Sequence, residues 1–310
     1  MVACGSYELS EGEGEKRCGR IALLHLEGWR VVEVAHIDTG AVFKLQWAPF
    51  RGSGAAQLAT ASADGLLRLH SVPFVPDPTV RETSRLHITD SLVTNVDWGG
   101  DVTSPSLVAS RSDGSLSMVA LASDGLREVS SWSAHELEAW VCCFGGDQDS
   151  NYVYSGADDA AFKLWDLRDT MRPAASNSKE HGAGVTAIAF RPGSSTVATG
   201  SYDEQLRLWD PRNLRTPLMS SPIGGGGWRL KWHPSGQQVA MACMQEGFKV
   251  VELNAAGSAV ESITELPGTQ GGGAEMLAYG VDWNVARGIL VGASFYAKTI
   301  YWWNSLATPE

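Results

Sequence analysis

The sequence predicts an all-β chain, a seven-bladed β-propeller, and three observations carry that prediction. Two stretches 44 residues apart, Tyr154–Asp169 (YSGADDAAFKLWDLRD) and Ala198–Asn213 (ATGSYDEQLRLWDPRN), share one plan. In each, an Asp (Asp159, Asp203) precedes a Trp-Asp pair (Trp165-Asp166, Trp209-Asp210), with the Trp six residues on. That spacing suits two short antiparallel strands with the Asp in the turn, and a period of ~40–45 residues is that of four-stranded blades. Next, six large aromatic residues recur as strand ends: Trp47, Trp98, Phe144, Phe190, Trp232 and Trp283, at separations of 51, 46, 46, 42 and 51. Finally, glycine is abundant (34 residues) and helix-period apolar patterns are nearly absent, which favours strands and turns.

The elements follow in order from those anchors. Each closes a first strand: LQWAP, NVDWGG, VCCFGG, IAFRP, LKWHP and GVDWN. A turn and a β-rich strand come next, then a second turn (SADG, RSDG, ADDA, SYDE or MQEG) of the kind that hairpins use, then a further strand. A seventh anchor, one period before Trp47, falls at or before residue 1. The segments VACGSYELS, GRIALLHLEG and WRVVEVAHI read as the remaining three strands of that repeat. The expectation is therefore a single domain, residues 1–310, lacking the N-terminal first strand and the closing strand donated to the last blade. Val72–Arg85 reads as a Pro-containing surface loop, Pro267–Ala274 as a Gly-rich connection, and Gly224–Gly227 as a lead into Trp228. None has phosphate-loop context, which needs a Lys-Ser/Thr pair opening a helix.

Bulk properties remove several function classes. A hydrophobic fraction of 44% is enough for a sizeable core, and a formal net charge of -11 argues against a phosphate-backbone partner. The five cysteines (Cys4, Cys18, Cys142, Cys143, Cys243) are odd in number, form no CxxC pair and lack a His-rich companion segment. They read as reduced thiols, with neither a disulfide framework nor a zinc site. There is no signal-type N-terminus and no apolar run of membrane-spanning length, so a soluble cytoplasmic protein is expected, with no nucleic-acid or membrane partner and no cofactor.

The repeat frame also lets equivalent positions be compared. The residue before the turn Asp is Tyr202 in one repeat and Asp158 in another; Tyr7 and Tyr296 occupy that place in the first and last, with Ala297 where the Asp would be. Four residues before each anchor stand Phe43, Thr94, Trp140, Thr186, Trp228 and Tyr279. Both sets meet one rim, which is thus rich in aromatic rings, and rings on an acidic protein attract a quaternary ammonium by ~0.5–2 kcal/mol each. Positions one and three before the anchors carry Lys44, Gln46, Asn95, Asp97, Arg229, Lys231 and Asp282. They point toward the propeller axis, either as an ion-pair ring or, for Arg229, as a ligand to a carboxylate or ester carbonyl. His181, Ser201, Asp203 and Trp209 have the spacing of a structural tetrad; His135, Asp159 and Trp165 repeat it with Ala157 at the Ser place. No GxSxG elbow occurs.

Several segments outside the generic repeat are more distinctive: ACGSYEL, SAHELEAWVCCF, GGGGWRLKWHP, ACMQEGFKV, YGVDW and SFYAKTIYWW. The Trp-Asp repeats resemble the WD-repeat family of interaction propellers. These segments, in this order, resemble the WD-repeat methylesterases of diphthamide biosynthesis over nearly the whole chain. That resemblance implies removal of a methyl ester from over-methylated diphthine on a histidine of translation elongation factor 2, before amidation. The trimethylammonium group of that substrate gives the aromatic rim a ligand: Trp140, Tyr202, Trp228, Tyr279 and Tyr296. Arg229 is expected at the oxyanion, and Glu138, Asp158 or Glu204 as the carboxylate that activates water. The alternative is a non-catalytic scaffold for the elongation factor or the amidating enzyme. Ala297 departs from the family's Asp and is expected to weaken the last turn. From the missing strands the expectation is that Met1 is not the natural start, or that the gene model is truncated. This span should aggregate, or be markedly less stable than one extended by ~25 residues, checked by light scattering and thermal melts.

Overall fold

The computed structural model describes residues 1–9, 17–27, 30–50, 54–75, 78–100, 103–146, 151–269 and 276–304. Among the described residues seven antiparallel sheets follow one another in the blade plan of a seven-bladed β-propeller, with a 3-10 turn at Val285–Arg287. By compactness the chain divides into two units, residues 1–155 with 165–172, and residues 156–164 with 173–310.

The first unit opens with a sheet whose centre is Arg17–Glu27. Arg30–Gly40 pairs along one edge, and Val2–Gly5 and Glu8–Leu9 pair along the other. The break between the last two has a local cause. Ser6 turns its carbonyl to the Val42 amide (3.0 Å) while its hydroxyl accepts from the Arg20 amide (2.9 Å). Two full sheets follow, Val42–Trp47 through Arg81–His87 and Val93–Gly100 through Gly125–Ser133. A fourth sheet runs Ala139–Phe144, Tyr152–Ala157, Phe162–Asp166 and Ala175–Asn177. The expected loop at Val72–Arg85 was drawn too long. Val72 and Pro73 end a strand and Arg81 to Arg85 begin the next, because Pro73 occupies a strand end, where its missing N–H is harmless.

The second unit takes residues 156–164 and 175–177 of that fourth sheet and, beyond them, holds sheets of four, four and three strands. The fifth is Val185–Phe190, Val197–Ser201, Gln205–Trp209 and Met219–Pro222. The sixth is Arg229–Trp232, Gln238–Ala242, Phe248–Leu253 and Val260–Glu265, and the seventh is Ala278–Asn284, Ile289–Ser294 and Ile300–Asn304. Inner and outer strands differ as their sequences demand. Val197–Ser201 is buried throughout, whereas Val260–Glu265 is exposed after its first residue. Leu206, Leu208, Leu230, Val239, Met241 and Val251 interlock as one apolar cluster of the fifth and sixth sheets.

The aromatic anchors do more than end strands. The Trp98 indole donates to the Gln46 carbonyl (2.9 Å), Trp232 to Ala189 (3.3 Å) and Trp283 to Lys231 (2.9 Å). Each acceptor is the residue just before the preceding anchor. Phe144 cannot donate, and its ring instead fills the space over Gly99, where a Cβ would sit 2.5 Å from ring carbons. The expected ion pairing of anchor-adjacent residues is seen in Lys231–Asp282 (3.4 Å).

The bracing sets are real, with one correction to each. The hydroxyl bridging His181 and Trp209 belongs to Thr199: it meets His181 Nε2 at 2.9 Å and accepts from Trp209 Nε1 at 2.9 Å. Ser201 instead donates to the Ala183 carbonyl (3.0 Å) and accepts from the Asp203 amide (3.1 Å). Likewise Ser155, not the Ala157 position, joins His135 (2.7 Å) to Trp165 (2.8 Å). The strand's period of two puts residues 199 and 201 on one face, and the deeper one reaches the indole. Burial, with Arg207 adding to it, pushes the His181 imidazole down to about 4, so it braces as a neutral ring stacked on Trp209 (5.5 Å). Thr199→Val should lower stability by about 2–4 kcal/mol, since it strands two buried groups, and Ser201→Ala by about 1 kcal/mol, read from urea unfolding midpoints.

Candidate functional site

Five aromatic rings line up within the second unit. Ring centroids run Tyr202 to Trp228 at 6.0 Å, Trp228 to Tyr279 at 4.8 Å, Tyr279 to Phe295 at 5.3 Å and Phe295 to Tyr296 at 4.9 Å. They come from three sheets: a turn of the fifth, the entry to the sixth, and the first strand and last turn of the seventh. The row grades from a buried floor to an open end. Trp228 is 4% exposed and Tyr296 62%, with Tyr202, Tyr279 and Phe295 half-buried between.

The tetraglycine segment is what lets the row form. Gly225 takes a left-handed φ of +83°, which favours glycine. At Gly226 a Cβ would sit 3.1 Å from Met244 Sδ and 3.3 Å from the Tyr202 ring. Gly227 donates its amide to the Ser201 carbonyl (2.9 Å) and accepts from the Thr186 hydroxyl (2.6 Å). The segment thus lies flat against the Tyr202 turn and delivers Trp228 beside it. At the far end, the Ala297 turn closes despite its missing carboxylate. Ser294 and Thr299 exchange backbone and hydroxyl hydrogen bonds (3.0 and 3.2 Å), and Thr299 Oγ1 donates to the Ala297 carbonyl (2.8 Å). The expected weakening of that turn is therefore offset by Thr299.

Arg229 lies at the floor. Its Cζ is 5.0 Å from the Trp228 ring centroid, and Nη1 donates to the carbonyls of Trp228 (3.2 Å) and Thr186 (3.4 Å). Burial pushes its ionisation down to about 10, while the nearby Tyr202 and Tyr279 hydroxyls act the other way, so it stays cationic at neutral pH. Tyr202 and Tyr279 are both held above the ordinary tyrosine range, chiefly by burial. At Tyr202 the second cause is the negative charge of Asp158. The Asp158 carboxylate and the Tyr202 ring both border Gly184, where a Cβ would lie 2.5 Å from Asp158 Oδ1 and 3.1 Å from Tyr202 Cδ2.

The expected site residues thus divide. Tyr202, Trp228, Arg229, Tyr279, Tyr296 and Asp158 are brought together within the second unit. Glu204 shares the Tyr202 turn, but its backbone fills the left-handed place (φ +64°) and its side chain is exposed. Glu138 and Trp140 belong to the first unit, Glu138 exposed just before the strand Ala139–Phe144 and Trp140 half-buried within it. Tyr7 and Phe43 also lie in that unit, edge to face at 5.5 Å. Phe295, which bridges Tyr279 and Tyr296, was missed. It stands at the repeat position of Ser201 and Cys243, so nothing marked it except its neighbour Tyr296. Among the described residues no group of three His, Cys, Asp or Glu side chains is placed to hold a metal ion, and no helix could cross a membrane. All five cysteines are free thiols.

Blades with Trp-Asp strand ends define a WD-repeat protein, and the family described as "WD domain, G-beta repeat" matches residues 126–166 and 175–210. A chain of the solved "Crystal Structure of Mitotic Checkpoint Complex" shares the fold alone, with a TM-score of 0.70 at 16% identity over 93% of this chain and 84% of that one. Relatives narrow the class further. The chain is 35% identical to "Diphthine methyltransferase" of Mus musculus and 32% identical to that of Homo sapiens, over 92% of its own length in both cases. It spans 64% of the mouse protein and 69% of the human one. A "Diphthine methyltransferase homolog" of Dictyostelium discoideum is 26% identical over 98% of this chain and 92% of its own. The chain belongs to the diphthine methyltransferase family.

The turn geometry separates a backbone role from a chemical one at Glu204. Glu204→Gly should leave the unfolding midpoint unchanged within about 1 kcal/mol, whereas Glu204→Val, β-branched at positive φ, should lose about 1–2 kcal/mol, measured by urea denaturation.

Proposed function

We propose that this chain hydrolyses the methyl ester of methylated diphthine on translation elongation factor 2, freeing the carboxylate for later amidation. The observation that carries the reading is the ring row from Tyr202 to Tyr296 with a buried guanidinium, Arg229, against its Trp228 floor. Ring faces suit a trimethylammonium group, which offers no N–H to a hydrogen-bond acceptor. Arg229 takes one face of Trp228, so the half-buried faces of Tyr202 and Tyr279 supply the ligand's contacts.

In the reaction, water oxygen attacks the ester carbonyl carbon and a carboxylate takes its proton. Glu138, Asp158 and Glu204 are the candidates. Negative charge then develops on the carbonyl oxygen, where Arg229 stabilises it as a preorganised cation. The bond from carbon to methoxy oxygen breaks, methanol leaves with the proton, and the carboxylate remains. The work is placed in the cytoplasm, with the elongation factor as protein partner and other enzymes of the pathway as further ones.

Incubating the purified chain with methyl-esterified elongation factor 2 should shift the modified peptide down by the mass of one CH2. Arg229→Ala should abolish that shift while the elongation factor still binds. Binding with no mass change would leave the scaffold reading, and a gain of one CH2 in the presence of a methyl donor would make the chain a methyltransferase.

A further inference from the structure

We infer that Asp158 is the counter-charge of the ring site, the residue that makes it select a cationic head over a neutral one of the same shape. The inference deepens the reading above and rests on it. Aromatic walls by themselves do not discriminate strongly. They welcome a tert-butyl group through the hydrophobic effect much as they welcome trimethylammonium through the ring quadrupole. Selection for charge needs a negative group near the rings that the ligand does not displace.

Asp158 has that placement. It sits in the turn between Tyr152–Ala157 and Phe162–Asp166, half-buried, in the same unit as the ring row. Its Oδ1 and the Tyr202 Cδ2 edge share the space that a side chain at residue 184 would fill, at 2.5 and 3.1 Å from the ideal Cβ position. A carboxylate beside the ring adds a negative charge that a cation on the ring face feels and a neutral head does not. Its field is felt at Tyr202, whose proton is held more tightly for that reason after burial. Glycine at 184 is therefore a condition for the arrangement, not slack in the loop.

The two charges also set a direction. Asp158 borders the row at Tyr202, and Arg229 borders it at Trp228, the next ring, 6.0 Å away. A ligand carrying a cationic nitrogen beside a carbonyl or carboxyl group would set nitrogen toward Asp158 and oxygen toward Arg229, a role that takes Asp158 out of the candidate bases and leaves Glu138 and Glu204. The separation of charges at the site thus matches a head of that polarity, and reversing the ligand would set like against like at both ends.

The test uses binding alone, so it does not depend on turnover. Tryptophan fluorescence of the full chain is titrated with choline and with its uncharged carbon analogue. Asp158→Asn should weaken choline at least tenfold, since the Coulomb attraction across one ring width near a protein surface exceeds a tenfold effect even when partly screened, and leave the analogue within about twofold. A second measure needs no variant: choline affinity of the wild-type chain should fall with added salt while that of the analogue does not. Choline binding that ignores both the substitution and salt overturns the assignment and leaves the ring site standing. Equal losses for both ligands in Asp158→Asn also overturn it, since they mark a structural role. Failure of choline to bind the wild-type chain overturns the assignment and the cation reading together.

Discussion

The fold depends on one hydrogen bond made repeatedly. An anchor tryptophan gives its indole N–H to the carbonyl just before the preceding anchor, as Trp98 does to Gln46, Trp232 to Ala189 and Trp283 to Lys231. An antiparallel sheet satisfies its own backbone within the sheet and has no built-in means of fixing its neighbour. A large ring supplies both halves of that need, apolar area to fill the wedge between sheets and a donor to fix its orientation. Where the anchor is Phe144 the donor is lost, and packing over Gly99 takes its place.

That constraint is why so much of the architecture was legible in the sequence. Rings that must recur once per sheet leave a period that survives insertions in the outer loops. The turns were legible too, because a hairpin whose fourth residue goes left-handed writes SADG, RSDG and MQEG into the chain. The depth at which a side chain acts along a strand was not legible. Ser201 and Thr199 share a face, and alternation cannot say which hydroxyl reaches Trp209 and which caps the turn. The end of a strand beside a proline was equally opaque, since Pro73 closes its strand without harm.

The site shows the same division. Tyr202, Trp228, Tyr279 and Tyr296 were reached by comparing repeats, because equivalent positions in successive sheets converge. Phe295 was not, since its equivalents are the small Ser201 and Cys243. The nearness of Asp158 to the Tyr202 ring was beyond the sequence as well. It depends on the empty volume at Gly184, a residue that a pattern reads only as loop.

The fourth residue of each hairpin turn has a wider consequence. Gly65, Gly114 and Gly247 hold that left-handed place in three turns, and Ala160, Glu204 and Lys298 hold it in three others, at φ values of 56°, 64° and 47°. A side chain there costs on the order of 1 kcal/mol and disturbs no strand. Such positions let a lineage exchange one surface group for another with folding barely affected. In this chain the three turns with a side chain at that place all lie in the unit that carries the ring row. Recognition can therefore drift between related proteins at these turns while the strands that hold the rings stay fixed.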